Sequence, residues 1–246
     1  MSEADGVRYL HLGTPWVQGA MRIRKPQSLE LEYIQRMMAW MLFRPEADVA
    51  KGHAVQLGLG AAAITRFCHG VLKMRTTAVE LNPTVIAACR LWFRLPDDGA
   101  KLKVLNLDAS AYAADAANAG TADALCVDLY DHDAASPVLD SEAFYRDCHA
   151  LLADGGVMSV NLFGRDASFE RSAKRIARAF GAQHLRTLRP TKEGNTIVIA
   201  VKAADAAFEM PGRDELAARA ENIETRFQLP ARKWLRMIRS FQPEDQ

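Results

Sequence analysis

The chain lacks an excess of either charge, since its 246 residues carry 31 basic and 30 acidic side chains and a net charge of +1. Without a strong overall field, it has no general attraction for nucleic acid or for an anionic membrane surface. It also lacks an apolar run long enough to span a bilayer. Its polar, acidic start is unlike a signal peptide. These absences predict a cytoplasmic globular protein that binds neither nucleic acid nor membranes.

Cysteine is scarce as well. Four cysteines stand far apart in the chain, inside segments with the pattern of helices or strands, at Cys68, Cys89, Cys126 and Cys148. That spacing favours reduced thiols in a core over a disulfide framework or a zinc site.

The chain does contain a regular alternation of strand and helix patterns. Strands are predicted at 54–57, 75–81, 101–107, 122–129, 156–162, 184–188 and 196–202. Helices are predicted between them at 61–72, 83–94, 109–117, 141–152 and 168–180. This alternation predicts an α/β fold with a doubly wound, mostly parallel sheet. The last two strands, joined by a turn, predict an antiparallel edge.

Two appendages flank this domain, which we place at residues 45–205. Residues 1–44 predict a short β-hairpin around the turn Gly13-Thr-Pro15 and then a helix from a Ser28 cap to Phe43. Residues 206–246 show apolar side chains at helical spacing and predict a helical tail. The hairpin and the apolar face of the first helix (Trp40, Met41, Phe43) could join two subunits as a homodimer, or this face could pack on its own sheet.

A glycine turn follows the first strand of the predicted sheet. Gly58 and Gly60 allow the chain to turn sharply and let a ligand approach the backbone. The third glycine of a dinucleotide-binding fingerprint is missing, because Ala63 stands there. A pyrophosphate-bearing cofactor such as NAD is therefore not favoured.

Two acids follow the next two strands. Glu80, 22 residues after Gly58, is well placed to accept both ribose hydroxyls of an adenosine, although it could also cap the following helix. Asp108 could accept the adenine amine or, equally naturally, serve as an N-cap. Together with the glycine turn, these acids describe an S-adenosyl-type cofactor better than NAD.

Asp128 and Asp131 close the fourth strand. Two carboxylates three residues apart would suit an ammonium-bearing substrate, and one could take a proton from an attacking amine. The alternative is that these acids hold a loop. His132 and Asp133 could complete a metal clip, but neighbouring residues rarely point at one ion, so no metal is expected.

The pattern as a whole resembles the spermidine synthase (polyamine aminopropyltransferase) family, within the S-adenosylmethionine-dependent Rossmann-like folds. The resemblance covers residues 7–200, and it is carried by Gln18, Tyr33, Gly58-Leu-Gly60, Glu80-Leu-Asn-Pro83, Asp108-Ala109, Asp128-x-x-Asp131 and Pro190-Thr191.

The resemblance implies a role for each of these residues. Glu80 would hold the ribose of decarboxylated S-adenosylmethionine, and Asp108 with Ala109 would hold its adenine. Asp128 would deprotonate or orient the amine. The diamine channel would be lined by Asp131, Gln18 and Tyr33. The products would be a longer polyamine and methylthioadenosine.

The chain departs from the family pattern at two informative places. Family members carry Gly-Gly-Gly-Asp-Gly at the turn, where this chain has Gly58-Leu-Gly-Ala-Ala62, so the acid that holds the aminopropyl amino group is replaced by Ala61. Lys192 stands where an aromatic residue is usual. Two alternatives therefore stay open: a methyltransferase that uses S-adenosylmethionine on a small amine, and a noncatalytic protein that binds a nucleoside or polyamine.

Overall fold

The computed structural model describes residues 1–11, 17–129, 139–163 and 167–242. Its strands are β1 (Ser2–Ala4), β2 (Val7–Leu10), β3 (Gly19–Arg22), β4 (His53–Leu57), β5 (Arg75–Glu80), β6 (Leu102–Asn106), β7 (Ala122–Val127), β8 (Leu152–Phe163), β9 (Leu185–Leu188), β10 (Asn195–Val201) and β11 (Ile238–Ser240). Its α-helices are α1 (Glu32–Met37), α2 (Ala63–Gly70), α3 (Pro83–Trp92), α4 (Ala109–Ala114), α5 (Glu142–Leu151), α6 (Ala167–Phe180), α7 (Arg213–Phe227) and α8 (Ala231–Leu235).

Eight of these strands form the central sheet, in the order β11-β9-β10-β8-β7-β4-β5-β6. The run from β8 to β6 is parallel, and β10, β9 and β11 continue it as an antiparallel edge. Buried residues fill β4 completely and β7 almost completely. Both strands are therefore covered on both faces, as the strands of a parallel sheet with helices on each side are. The predicted α/β fold with its mostly parallel sheet is confirmed.

A separate antiparallel sheet lies at the amino end, with β2 between β1 and β3. The predicted hairpin corresponds to β2 and β3, which pair from Val7 opposite Arg22 to Leu10 opposite Gly19. The turn residues Gly13 and Pro15 lie outside the described residues. β1 was not predicted, because its three residues are exposed and include no large apolar side chain.

The predicted cap of the first helix is wrong. α1 begins after Leu31, which makes no side-chain cap, and the Ser28 hydroxyl instead donates to the Lys25 carbonyl at 2.7 Å in the preceding turn. The helix continues only as a 3₁₀ segment, Met38–Phe43, and all six of its residues are buried. A segment that is buried on every side has no amphipathic stripe. Hydrophobic periodicity therefore could not predict that the α-helix continues here as a 3₁₀ helix.

This 3₁₀ segment packs on its own sheet. Trp40 and Met41 are 0% exposed, and they share one core cluster with residues of α2, β10, α7 and α8. Of the two alternatives, packing within one chain and pairing between two subunits, the structure supports packing within the chain. The apolar face of this segment is therefore not accessible to a second copy.

The carboxyl-terminal residues are helical as predicted through α7 and α8, and Trp234 of α8 is buried. The last described residues are not helical. β11 pairs antiparallel with β9, with Ile238 opposite Leu188. The prediction of a helix there is wrong because pairing with the free edge of β9 overrides a helical spacing of apolar residues. No helix in the described part of the chain is both long and apolar enough to cross a membrane.

Candidate functional site

The ends of four parallel strands bring the predicted site residues to one edge of the sheet. β4 ends at Leu57, β5 at Glu80, β6 at Asn106 and β7 at Val127. The chain proceeds from β4 outward to β5 and β6 on one side, while β7 lies on the other. The crevice beyond this reversal in strand order is where open α/β sheets bind ligands.

The glycine turn after β4 is built as a tight cradle. Gly58 has φ +85° and Gly60 has φ +51°, both in the left-handed region. A Cβ on Gly58 would lie 2.1 Å from the carbonyl oxygen of Asp128, so only glycine fits there. The buried Gln56 supports the turn, because its Nε2 donates to the Gly58 carbonyl at 2.7 Å and its Oε1 accepts from the Thr65 hydroxyl.

The amino-terminal hairpin closes over this turn. A Cβ on Gly19 would lie 2.5 Å from Cβ of Ala61, and a Cβ on Gly60 would lie 3.2 Å from the Gln18 carbonyl oxygen. The structure thus places Gln18 beside the glycine turn. It also buries Ala61, which is only 3% exposed, against the hairpin.

Glu80 joins two segments of the crevice. Its Oε2 accepts from the Leu59 N–H at 2.9 Å, and its Oε1 accepts from the Asn82 N–H at 2.8 Å. The cap of α3 is Asn82, whose Oδ1 accepts from the Thr84 N–H at 2.9 Å, so Glu80 is not needed for that purpose. Each carboxylate oxygen has two lone pairs, so Glu80 keeps acceptor capacity for a hydroxyl donor.

Asp108 is an N-cap, as one of the two interpretations predicted. Its Oδ1 accepts from the Ser110 hydroxyl and from the N–H groups of Ser110 and Ala111 at 2.8 and 3.1 Å. The Ser110 hydroxyl and these N–H groups hold the pKa of Asp108 below its usual value. Oδ2 has no partner among the described residues, so the cap does not prevent it from accepting a ligand N–H. Ala109, buried, begins α4 beside it.

Asp128 lies at the mouth of the crevice, partly buried. Its Oδ1 accepts from Nδ2 of Asn161 at 2.9 Å, and its Oδ2 accepts from the Tyr33 hydroxyl at 3.3 Å. Burial raises the pKa of Asp128, while the hydrogen bonds from Asn161 and Tyr33 act in the opposite direction. The structure thus brings Tyr33 and Asp128 together although 95 positions separate them.

A chain of amides behind Asp128 was not predicted from the sequence. Oδ1 of Asn161 accepts from Nδ2 of Asn195 at 3.1 Å, and the Asn195 N–H donates to the hydroxyl of the buried Thr191 at 3.2 Å. The side-chain hydrogen bonds fix which side of the Asn161 amide donates to Asp128. The available signal was an asparagine within the apolar run 157–162, since a buried polar side chain needs partners.

Two large apolar side chains are exposed beside the crevice acids. Leu81, which follows Glu80, is 66% exposed, and Leu107, which precedes Asp108, is 41% exposed. Exposed apolar surface next to convergent polar groups is typical of a binding site for a ring system. The sequence did not predict a role for these leucines, because a single apolar residue at the end of a strand does not indicate whether it is exposed.

The remaining predicted site residues cannot be placed. Asp131, His132 and Asp133 lie outside the described residues. Within the described ranges no group of three or more histidine, cysteine or acidic side chains could hold a metal ion. The four cysteines are free and buried, and burial raises the pKa of the Cys89 thiol to about 12.

The fold and the crevice define a Rossmann-like α/β protein with a ligand-binding crevice at the carboxyl ends of its parallel strands. A probable spermidine synthase from Corynebacterium glutamicum superposes with a TM-score of 0.69 over 90% of this chain and 83% of its own, at 22% identity. Human methyltransferase-like protein 13, solved in complex with SAH, superposes with a TM-score of 0.67 over 87% of this chain and 97% of its own, also at 22% identity. At this identity the likenesses show the fold.

The sequence relatives are more specific. A polyamine aminopropyltransferase from Neisseria meningitidis serogroup A is 30% identical over 246 residues, which cover 100% of this chain and 90% of the relative. A polyamine aminopropyltransferase from Chromobacterium violaceum is 30% identical over 93% of this chain and 84% of its own length. No protein-family model matches the chain. The chain belongs to the polyamine aminopropyltransferase family, which confirms the resemblance.

Proposed function

We propose that this protein transfers an aminopropyl group from decarboxylated S-adenosylmethionine to a di- or polyamine. The observation that carries the proposal is a partly buried carboxylate, Asp128, held between Tyr33 and Asn161 at the crevice of a chain whose full-length relatives are polyamine aminopropyltransferases. The transferase reaction follows from the family, and the cosubstrate and residue roles below are our assignment.

The crevice fits the adenosine part of such a donor. Glu80 keeps acceptor capacity on both oxygens for the ribose hydroxyls, and Asp108 keeps Oδ2 for the adenine amine. Leu81 and Leu107 offer apolar surface for the base ring. Gly58 and Gly60 let the nucleoside approach the backbone closely.

The donor supplies a carbon made electrophilic by the neighbouring sulfonium. The protein's task is to align the amine with that carbon and to manage one proton. An alkylamine is almost wholly protonated at neutral pH, and only its free form is a nucleophile. Asp128 attracts the ammonium and accepts its proton as the C–N bond forms and the C–S bond breaks. Tyr33 and Asn161 keep the two carboxylate oxygens in place.

Gln18 beside the glycine turn and Tyr33 beside Asp128 both lie on the crevice side that the hairpin and α1 cover. We assign these two residues, together with Asp131, to the amine channel. Lys192 is exposed on the turn after Thr191, and the neighbouring Glu193 interacts with its charge, so this turn does not by itself decide the length of the amine.

A second candidate is methyl transfer from intact S-adenosylmethionine. It is favoured by one observation: Ala61 is packed against Gly19, so the glycine turn has neither an acid nor room for one to hold the amino group of an aminopropyl tail. The methyltransferase-like fold is compatible with both reactions.

Product analysis separates the two. Purified protein is incubated with decarboxylated or intact S-adenosylmethionine and a panel of amines, and the products are identified by mass spectrometry. We expect methylthioadenosine and an amine heavier by one aminopropyl unit. S-adenosylhomocysteine with a methylated amine would establish the second candidate instead. If the protein is folded and binds methylthioadenosine but forms neither product, its role is noncatalytic.

Matched acid substitutions tie the reaction to Asp128. Asp128→Asn removes the proton acceptor, and we expect turnover to fall by about 100-fold or more. Asp154→Asn is the control, because that side chain is 72% exposed at the irregular start of β8, the end of the strand away from the crevice. Equal activity in the two variants would exclude Asp128 as the base.

A further inference from the structure

A second cavity, about 340 Å³, lies at the opposite edge of the sheet from the crevice. It is enclosed by the end of α2, the segments that lead into β5 and β6, the segment after α3 and residues 26–27. Five of the nine lining side chains are basic: Arg66, His69, Lys73, Arg94 and Lys101. The other four are two prolines, a glutamine and a glycine, so the lining includes no carboxylate.

The charges of this cavity are not neutralised within the described part of the chain. None of its arginine or lysine side chains takes part in an ion pair there. Two helices end nearby, and each helix end contributes only about half a negative charge. That is too little to balance four cations, so the cavity is a local positive centre in a chain with a net charge of only +1.

Arg66 is the most unusual member, since it is 3% exposed. Its Nε donates to the Pro26 carbonyl, and its Nη1 donates to the carbonyls of Ala61 and Phe93, but its Nη2 is buried with no partner among the described residues. Burial lowers the pKa of this guanidinium to about 10, so it remains charged at neutral pH. Nδ1 of His69 is likewise buried without a partner. A buried charge without a counter-charge is costly, and a bound anion would relieve that cost.

The backbone holds two of the cations in conformations that lysine and arginine rarely adopt. Lys73 has φ +61° just beyond α2, and Arg94 has φ +53° just beyond α3. Glycine is the usual residue at such positions, because it has no Cβ to strain. The chain instead places a long cationic side chain at both helix ends, and both line the same cavity.

We propose that this cavity binds a small anion with two or more phosphate groups. Lysine and arginine are the side chains that recognise phosphate, and several of them around one cavity suit an anion of multiple charge better than a single carboxylate. Inorganic oligophosphate and the phosphate chain of a nucleotide share this chemistry. A long nucleic acid is not favoured, because the chain has no overall positive field.

Calorimetric titration of the full chain with pyrophosphate and tripolyphosphate tests the proposal. These probes contain no adenosine, so they have no reason to enter the crevice. We expect one saturable site whose affinity falls about tenfold or more when Lys73 and Lys101 are both changed to glutamine, since each provides a charged contact. Lys103→Gln is the matched control, because Lys103 is exposed on β6 two residues after Lys101 and does not line the cavity.

The Lys73→Gln, Lys101→Gln double variant should keep its melting temperature and its transferase activity, so this test is independent of the proposed reaction. A parallel titration with guanosine triphosphate distinguishes the sources: binding that is tighter than that of tripolyphosphate and is weakened in the double variant assigns part of the cavity's ligand to a nucleoside. No saturable binding of pyrophosphate or tripolyphosphate at millimolar concentration would overturn the proposal. So would equal binding by the double variant and Lys103→Gln, or binding of single-stranded RNA alone.

Discussion

Asn161 donates its side-chain amide to Oδ1 of Asp128 at 2.9 Å, and so connects β8 to the acid at the end of β7. The parallel register explains the contact, because Val127 lies opposite Val160 and the next residues on each strand are Asp128 and Asn161. An amide donor at this point stabilises the carboxylate form of Asp128, against the effect of burial.

The first prediction concerns this positioning residue. Asn161→Leu removes the donor and keeps the burial, so the pKa of Asp128 should rise further and the acidic limb of kcat/KM should move to higher pH. We expect a loss of about 10- to 100-fold in kcat/KM at neutral pH, the scale of a hydrogen bond to a charged group. Part of the loss should be recovered in alkaline buffer.

Asn195→Ala provides the graded comparison. It removes the donor to Asn161 Oδ1 but leaves the bond from Asn161 to Asp128, so its pH profile should move less. A uniform loss of activity at every pH in Asn161→Leu would show that Asn161 is only structural.

The second prediction is that the substitution Asp128→Asn, which should abolish most of the activity, stabilises the fold. Burial raises the pKa of Asp128, so the folded state binds a proton more readily than the unfolded chain. The ionised carboxylate therefore destabilises the fold: the penalty is complete above the raised pKa and disappears as the pH falls to the ordinary Asp pKa of about 3.9. Asp128→Asn has no charge to desolvate. At neutral pH its melting temperature should rise by about 2–4 °C, the scale of 1 kcal/mol in a chain of this size.

Calorimetry of Asp128→Asn at pH 4 and pH 8 provides the check, with the larger gain expected at pH 8, because at pH 4 the carboxyl is close to its ordinary pKa and the penalty is small. A lower melting temperature than that of the parent at both pH values would contradict the assignment of burial as the main influence on Asp128.

The third prediction tests the contact between the hairpin and the glycine turn. Gly19→Ala places a Cβ 2.5 Å from Cβ of Ala61, which is too close for two carbon atoms. The hairpin should move away from the turn at a cost of about 1–3 kcal/mol in unfolding free energy. Affinity for methylthioadenosine should fall with it. Gly99→Ala is the control, since a Cβ there meets nothing within 4 Å. Equal stability of the two variants would mean that the hairpin and the glycine turn are not in close contact.

The strand ends of this site could be predicted from the sequence, but the contacts between them could not. Glu80, Asp108 and Asp128 each follow an apolar run, and the carboxyl ends of parallel strands share one edge, so periodicity was enough to bring them together. Asn161 was missed because its partner depends on the pairing register, which sequence spacing does not contain. The strand Ile238–Ser240 was missed because pairing with a distant edge decided its conformation.

The last prediction concerns a histidine at the other end of β4, far from the crevice. Burial lowers the pKa of His53, whose ring nitrogens lie 3.1 Å from the Thr121 carbonyl oxygen and 2.8 Å from the Thr77 hydroxyl. The neutral ring suits this site, whereas the unfolded chain takes up a proton below about pH 6.5. Stability is therefore present above that value and is lost as the pH falls from there towards the lowered pKa.

Urea unfolding between pH 5 and pH 8 measures this dependence. Between pH 8 and pH 5 the parent should lose more unfolding free energy than His53→Gln, even if the variant is less stable overall. The raised pKa of Asp128 acts in the opposite direction, but it does so in both proteins. Some slope should remain, because burial also lowers the pKa of His149. Parallel profiles for the parent and His53→Gln would show that His53 is protonated in the folded state as readily as in the unfolded chain, against the desolvation argument.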